Sequence, residues 1–200
     1  MEINPLDQVE AADESPAEAR RSRLNTRVAL TVALLATFTG VCKVKDDNIV
    51  QAMQQAQSDH VDDWNYYQAK NVREEVARAA ADELRAHEAA LPRERLDGVL
   101  ASVARYDSLA RNEAQKKEQV RRKAEEDQRT YDALNYRDDQ FDLSDTLIAL
   151  AVSLLALTSL TQKRWLFAVA MVPTFFGILM GLAGLAGWKI HPDALARLLS

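Results

Sequence analysis

The sequence predicts an all-α membrane protein: three transmembrane helices, with a long antiparallel, coiled-coil-like helical hairpin between the first and the second. Three observations carry that expectation. Apolar runs at 28–44, 146–160 and 165–188 have the length of a bilayer-spanning helix, which takes roughly 17–25 residues. Charged and polar side chains dominate the interval between the first run and the second, so both of its ends are held at the membrane. Between Val41 and Val172 the only proline is Pro92 and the only glycine is Gly98, a scarcity of breakers that favours long helices over strands. Whole-chain averages of 48% hydrophobic and 28% charged residues would suit a soluble helical protein equally well, so distribution decides and composition does not. The single cysteine, Cys42, excludes an internal disulfide.

Residues 1–23 read as a disordered tail. Positions 1–19 hold six acids and no base, with Pro5 and Pro16 and few large apolar side chains, too little to offset the entropy of ordering. Arg20, Arg21, Arg23 and Arg27 follow, leading into the first span at 24–44. That span reads as an uncleaved anchor, because Val41 stands before Cys42 where a lipoprotein cleavage site needs a small residue; Thr31, Thr37 and Thr39 reduce its hydropathy. The second span, 143–161, and the third, 165–188, are joined by so short a connection that they must run antiparallel. Lys163 and Arg164 in that connection then share a side with the N-terminal arginines, and the positive-inside rule makes that side cytoplasmic. The interval 45–142 and the short tail 189–200 are thereby placed outside the cytoplasm. Lys43 and Lys45 are the residues that oppose this orientation.

The interval resolves into two arms, 46–90 and 93–141, turning near Pro92. With equal rise along both arms, this turn pairs Val50 with Leu134, Met53 with Tyr131, Val76 with Leu109 and Leu84 with Leu100. It also sets Asp59, Asp62 and Asp63 beside Lys116, Lys117, Arg121, Arg122 and Lys123; a turn at Gly98 would lose that charge match. Leu96, Val99, Val103, Tyr106 and Ala110 repeat at three-and-four spacing, after which Glu113 and Lys117 interrupt the stripe before Val120 and Leu134 resume it. So thin a seam gives two helices little stability, and further copies of the chain are expected to join them as a homo-oligomer.

On this hairpin, Trp64, Asn65, Tyr66, Tyr67, Gln68, Ala69 and Lys70 concentrate aromatics on an otherwise charged helix. Trp64 and Tyr67 share a face, as do Tyr66 and Lys70. With Arg73 they form the interaction or packing candidate, a packing knot being favoured over a ligand surface. His60 lies among Asp59, Asp62 and Asp63 with no second histidine or cysteine nearby, so no metal site is expected; His87 and His191 are isolated. The basic run from Lys116 to Lys123 is broken by Glu118 and followed by Glu125, Glu126 and Asp127. With a net charge of −5 and pairs such as Glu113–Lys117 and Glu118–Arg122, it reads as an exposed helix that does not bind nucleic acid. Asp142, Ser144 and Asp145 stand where the second span starts and read as helix caps, with an ion pathway through Asp145 as the sharper alternative. Gly177 and Gly181, continued by Gly184 and Gly187, make a small-residue ridge for helix packing, with Pro173 as a kink candidate. Phosphate loops, nucleophile contexts and metalloprotease motifs are missing, which points away from an enzyme and from any cofactor.

The stretch Asp62-Asp63-Trp64-Asn65-Tyr66-Tyr67-Gln68-Ala69-Lys70-Asn71-Val72-Arg73, together with Phe141-Asp142-Leu143 and Gln162-Lys163-Arg164-Trp165, resembles a family of bacterial membrane proteins called domain of unknown function four-three-three-seven. The resemblance covers about residues 24–188. It implies a bacterial, membrane-embedded protein and brings no catalytic residues. The expectation is a non-enzymatic protein of the bacterial inner membrane whose partners are the lipid bilayer and further copies of itself, its hairpin mediating self-association or scaffolding. A small channel or transporter subunit is the alternative, and a membrane-anchored ligand sensor around Trp64, Tyr66 and Tyr67 is the second. A pore would require Thr31, Thr37, Ser153, Thr158 or Gly181 to converge on a shared axis.

Overall fold

The computed structural model describes residues 16–88 and 92–188. They form three helices, α1 (Pro16–Glu88), α2 (Arg93–Thr161) and α3 (Arg164–Ala186), with no strand among the described residues. The fold is all-α, and each helix contains a stretch long and apolar enough to cross a membrane. Part of the expected tail of 1–23 is helical. Pro16 opens α1, where its fixed backbone angle and missing N–H cost nothing, and 16–23 is already helical. Residues 1–15 and 189–200, with His191, lie outside the described residues.

Neither α1 nor α2 breaks where a span was expected to meet an arm. Without proline or paired glycines near 44 or 142, nothing interrupts the hydrogen-bond ladder. The capping reading of Asp142, Ser144 and Asp145 is overturned for the same reason: all three lie in mid-helix, where the backbone amides are already engaged. Between α1 and α2, the Pro92 carbonyl accepts the Arg95 amide at 3.0 Å.

The chain divides into two compact units. One comprises α1 up to Ile49, α2 from Tyr136, and α3; the other comprises 50–135. In the first unit, Val28 and Leu35 of α1 pack with Ile148, Ala151 and Leu155 of α2 and Ala170 of α3. Large apolar side chains also point outward: Leu160 is 81% exposed and Phe175 63%. Ser144, Thr158 and Thr174 are buried instead. The hydroxyls of Thr158, Thr174, Thr37 and Ser153 each donate to a carbonyl one turn back on their own helix, which is how such residues are tolerated in an apolar segment.

The connection from α2 to α3 is a left-handed stop. Gln162 has φ 58°, unusual for a residue with a side chain, and its amide donates to Thr158 at 2.9 Å. Its Nε2 donates to Asn25 Oδ1 at 3.0 Å, and Ser159 Oγ donates to the same oxygen at 3.2 Å. These bonds tie the N-terminal part of α1 to the α2–α3 connection. At the other end of α3, Arg137 donates twice to the Gly184 carbonyl, at 2.9 and 3.3 Å, and Gln140 donates to the Trp188 carbonyl at 2.8 Å. A cation at the C-terminal carbonyls also suits the helix dipole.

In the second unit α1 and α2 meet along a seam with three-and-four spacing. Met53, Ala56, Lys70, Glu74, Ala77 and Ala81 are buried on α1, and Val103, Ala110, Glu113 and Ala124 on α2. The helices run antiparallel, because partners on α2 fall in number as those on α1 rise: Asp63 with Lys123, Lys70 with Glu113, Arg85 with Asp107. Two expected pairs are not buried in the seam; Leu100, expected to face Leu84, is 42% exposed. Val76 is 64% exposed and Leu109 44%, while their neighbours Ala77 and Ala110 are buried. Small residues let the helices approach, and the larger valine and leucine point away.

Candidate functional site

Two side-chain constellations stand out, one in each unit. In the second unit the predicted aromatic segment forms two separate contacts. Trp64 stacks on Tyr67 at 5.1 Å between ring centroids and 12° between planes, and the His60 ring continues the stack at 6.4 Å and 11°. One turn away, Lys70 Nζ lies 5.0 Å from the Tyr66 ring centroid. His60 Nδ1 reaches the Ala124 carbonyl on α2 at 2.9 Å, which makes it the donor there and gives it a place in the seam. Among the described residues no group of three or more histidine, cysteine or acidic side chains has the geometry to hold a metal. His87 and Arg73 are exposed.

Lys70 belongs to a buried ionic layer that sequence reasoning did not assemble. Its Nζ lies 2.9 Å from Glu113 Oε2, and Lys117 Nζ lies 2.7 Å from Glu74 Oε2. Lys117 also donates to Asn71 at 3.0 Å, while Arg78 and Lys116 flank the two glutamates from solvent. Lys70, Glu74 and Glu113 are only 4%, 2% and 5% exposed. Glu113 and Lys117 were expected to pair with each other on an exposed face; both instead turn into the seam and take partners from α1. The hydrogen bond between Lys70 and Glu113 holds the ammonium above its ordinary range and the carboxyl below the usual one. The signal was available: Glu113 and Lys117 continue the spacing of Leu96, Val99, Val103, Tyr106 and Ala110, and a charge on a seam position needs an opposite charge across it.

In the first unit, glycines bring the three helices into contact. A Cβ on Gly177 would lie 2.8 Å from Ile148 Cγ1 and 3.3 Å from the Ile148 amide; on Gly181 it would meet the Phe38 ring at 2.7 Å, and on Gly184 the Phe141 ring at 2.9 Å. Ser144 Oγ donates to the Gly177 carbonyl at 2.8 Å across the same contact. Gly187 does not belong to that ridge. It has φ 68° and no neighbour within 4 Å, and it ends α3, with the Trp188 amide donating to Ala183 at 2.9 Å. Pro173 is buried within α3, and the helix continues through it.

Near these glycines lies the second constellation, an acidic one. Asp142 and Asp145 share a cavity of about 30 Å³ with Thr39, Lys43 and Asp46 of α1. Asp46 Oδ2 lies 2.9 Å from Lys43 Nζ. Asp138, one turn before Asp142, contacts Asp46, and its carboxyl is pushed up to about 6 by burial first, then by its hydrogen bond to Asp46 and the charges of Asp142, Asp46 and Asp139. Burial, followed by the charges of Asp46 and Asp139, raises Asp142 as well. Sequence reasoning found Asp142 and Asp145 but not Asp46 or Asp138, whose partners lie on another helix. The spacing of Cys42, Asp46 and Ile49, all buried on one face of α1, was the signal.

No curated protein and no solved structure matches the chain. The model of the family described as Domain of unknown function (DUF4337) matches residues 24–187, which include both constellations, and the chain belongs to that family.

Proposed function

We propose that this chain is a non-enzymatic, three-span protein of the bacterial inner membrane whose coiled-coil-like hairpin mediates self-association or scaffolding. Its spans are α1 over 24–44, α2 over 143–161 and α3 over 165–188. The surface of the first unit supports membrane insertion: leucine, valine and phenylalanine point outward, while the hydroxyls of Ser144, Thr158 and Thr174 are buried. The hydrogen bonds from Ser159 and Gln162 to Asn25 support the orientation, since they gather Arg20, Arg21, Arg23 and Arg27 at the same end as Lys163 and Arg164. By the positive-inside rule that end is cytoplasmic and the hairpin is extracytoplasmic.

The observation that carries self-association is the outer face of α1 in the second unit. Val61, Val72 and Val76 are 47%, 60% and 64% exposed, on the side of the helix opposite Lys70, Glu74 and Ala77. An apolar stripe on both sides of a helix leaves one side for a second partner. The channel reading gains no comparable support within one protomer, because Thr37 and Ser153 point outward while Thr158 and Gly181 are buried. The sensor reading needs a pocket around Trp64, Tyr66 and Tyr67, whereas Trp64 is 42% and Tyr66 50% exposed and their rings contact neighbours on the same helix. Purification in mild detergent followed by mass measurement and imaging tests the proposal. An assembly of several copies that dissociates on Val72→Glu with Val76→Glu is expected; a monomer at all accessible concentrations overturns it.

A further inference from the structure

Asp46 is a carboxylate in an unusual place. It is 5% exposed on the α1 face that packs against α2, and although Lys43 approaches Oδ2, Oδ1 is buried without a hydrogen-bond donor. A buried acceptor left without a donor destabilises the fold that contains it. The group that touches it from α2 is not a base but a second carboxyl, that of Asp138. Two ionised carboxylates in contact repel, whereas a carboxylic acid donates its O–H to a carboxylate.

We propose that Asp46 and Asp138 bind one proton between them, forming a proton-binding latch that fastens α1 to α2 within the first unit. The proton stays on Asp138 as a carboxylic acid and is donated in a hydrogen bond to Asp46 Oδ1; the negative charge stays on Asp46, facing Lys43. No bond other than the O–H forms or breaks, and the proton comes from water.

The neighbouring groups favour proton uptake over release. On α1 the titratable and charged neighbours are Cys42, Lys43 and Asp47; on α2 they are Asp139, Asp142 and Asp145. From α3 no titratable group lines the adjoining cavity. Among the described residues that line the cavity, Lys43 is the one base set against several carboxylates, and its ammonium is already taken by Asp46 and Asp47. The cavity, about 30 Å³, is large enough for a water molecule and gives the proton a route to Asp46. Thr39 Oγ1, also buried without a partner, faces the same space.

The sign of the pH effect follows from linkage. Asp138 holds its proton up to about pH 6 in the folded protein, whereas an unfolded aspartate has released it by then. The latch is therefore fully present in acid and is lost as pH rises through about 6.

Infrared titration of the full chain in lipid nanodiscs tests this directly, because a protonated carboxyl absorbs apart from carboxylates and amides. The expected result is one protonated-carboxyl band that disappears with a midpoint near pH 6, is absent in Asp138→Asn, and titrates at lower pH in Asp46→Asn. The melting temperature of the wild type should fall between pH 5 and pH 7.5. Asp138→Asn, whose amide donates the same hydrogen bond at any pH, should melt at one temperature across that range. Absence of the band at pH 5 in the wild type, which requires no variant to fold, would overturn the proposal. So would a midpoint that moves with sodium or calcium concentration at constant ionic strength, since the pocket would then be a cation site.

Discussion

Replacing Gly177 by alanine tests whether close helix packing, and not apolar composition alone, holds the first unit together. The added Cβ would lie 2.8 Å from Ile148 Cγ1, 3.3 Å from the Ile148 amide nitrogen and 3.3 Å from Leu147 Cβ. Ile148 Cγ1 can rotate, but the amide and Leu147 Cβ move only if α2 itself moves. Overpacking of this kind costs about 1–3 kcal/mol. Alanine also gains up to about 1 kcal/mol of helix propensity over glycine, which would mask part of the loss. Gly40→Ala isolates that gain, because Gly40 lies in α1 of the same unit with nothing within 4 Å of its Cβ position. The difference between the two variants is then the packing term, about 1–3 kcal/mol. Gly184→Ala should behave like Gly177→Ala, since the Phe141 ring it meets is 3% exposed and has little room to withdraw. Gly181→Ala should also behave like Gly177→Ala, since its Cβ would meet both the Phe38 ring at 2.7 Å and Ser144 Oγ at 2.8 Å, and Ser144 is buried and bonded to the Gly177 carbonyl. Gly187→Ala has no steric neighbour, and its cost, about 1–2 kcal/mol, comes from the left-handed backbone alone. Reversible unfolding in mixed detergent, followed by the fluorescence of Trp165 and Trp188, measures the series. Gly177→Ala and Gly40→Ala of equal stability would refute the packing argument.

The ionic layer predicts a strong pairwise coupling. Lys70→Ala or Glu113→Ala should lower the melting temperature of the hairpin, Lys70→Glu with Glu113→Lys should recover much of the loss, and Lys70→Leu with Glu113→Leu should match or exceed the wild type. Additive single losses in the charge-swapped protein would show that the two residues do not act as a pair. For topology, cysteines at Gly98 and Lys163 in a Cys42→Ala background should be labelled from opposite faces of a sealed membrane, and labelling from one face would exclude three spans. Trp64→Ala should loosen the second unit, read as faster amide exchange around His60 and Tyr67, because it removes the central ring of the stack; unchanged protection there would make the stack an incidental contact.

Helix positions were legible because the sequence states them locally: apolar runs, a proline at the turn and almost no other breakers. Partnership across helices was legible only in part. Trp64 with Tyr67 and Tyr66 with Lys70 follow from spacing on one helix, and both contacts are present. Val76 was matched with Leu109 by equal rise from the turn, yet Ala77 and Ala110 take the buried positions, because two helices close on small side chains and a shift of one residue rotates a helix by about 100°. Asp142 and Asp145 looked like caps because hydropathy changes there. A change in hydropathy does not break a hydrogen-bond ladder, and α2 continues. Asp46 with Asp138 and Glu74 with Lys117 were not legible as pairs, because a charge at a buried helix position marks itself and not its partner on another helix.

The polarity of the seam bears on what the hairpin is for. A seam of Met53, Ala56, Ala77, Ala81, Val103, Ala110 and Ala124 buries little apolar area, and its ionic layer adds specificity more readily than net stability. Such a pair of helices would be marginal if it had to assemble from separate chains. Here α1 and α2 are already paired in the first unit, through Val28, Leu35, Ile148, Ala151 and Leu155, so the loop-closure entropy of bringing them together is largely met before the seam forms. Stability and specificity are thus divided between different residues. The layer also selects against a competing arrangement, because two copies of α1 meeting in parallel through the same face would set Lys70 against Lys70 and Glu74 against Glu74. In the proposed assembly, copies would thereby be directed away from the seam and toward the outer stripe of Val61, Val72 and Val76. Cysteine crosslinking between copies separates the two surfaces: bridges through position 72 with none through position 74 are expected, and efficient bridging through 74 would show that the seam itself exchanges between chains.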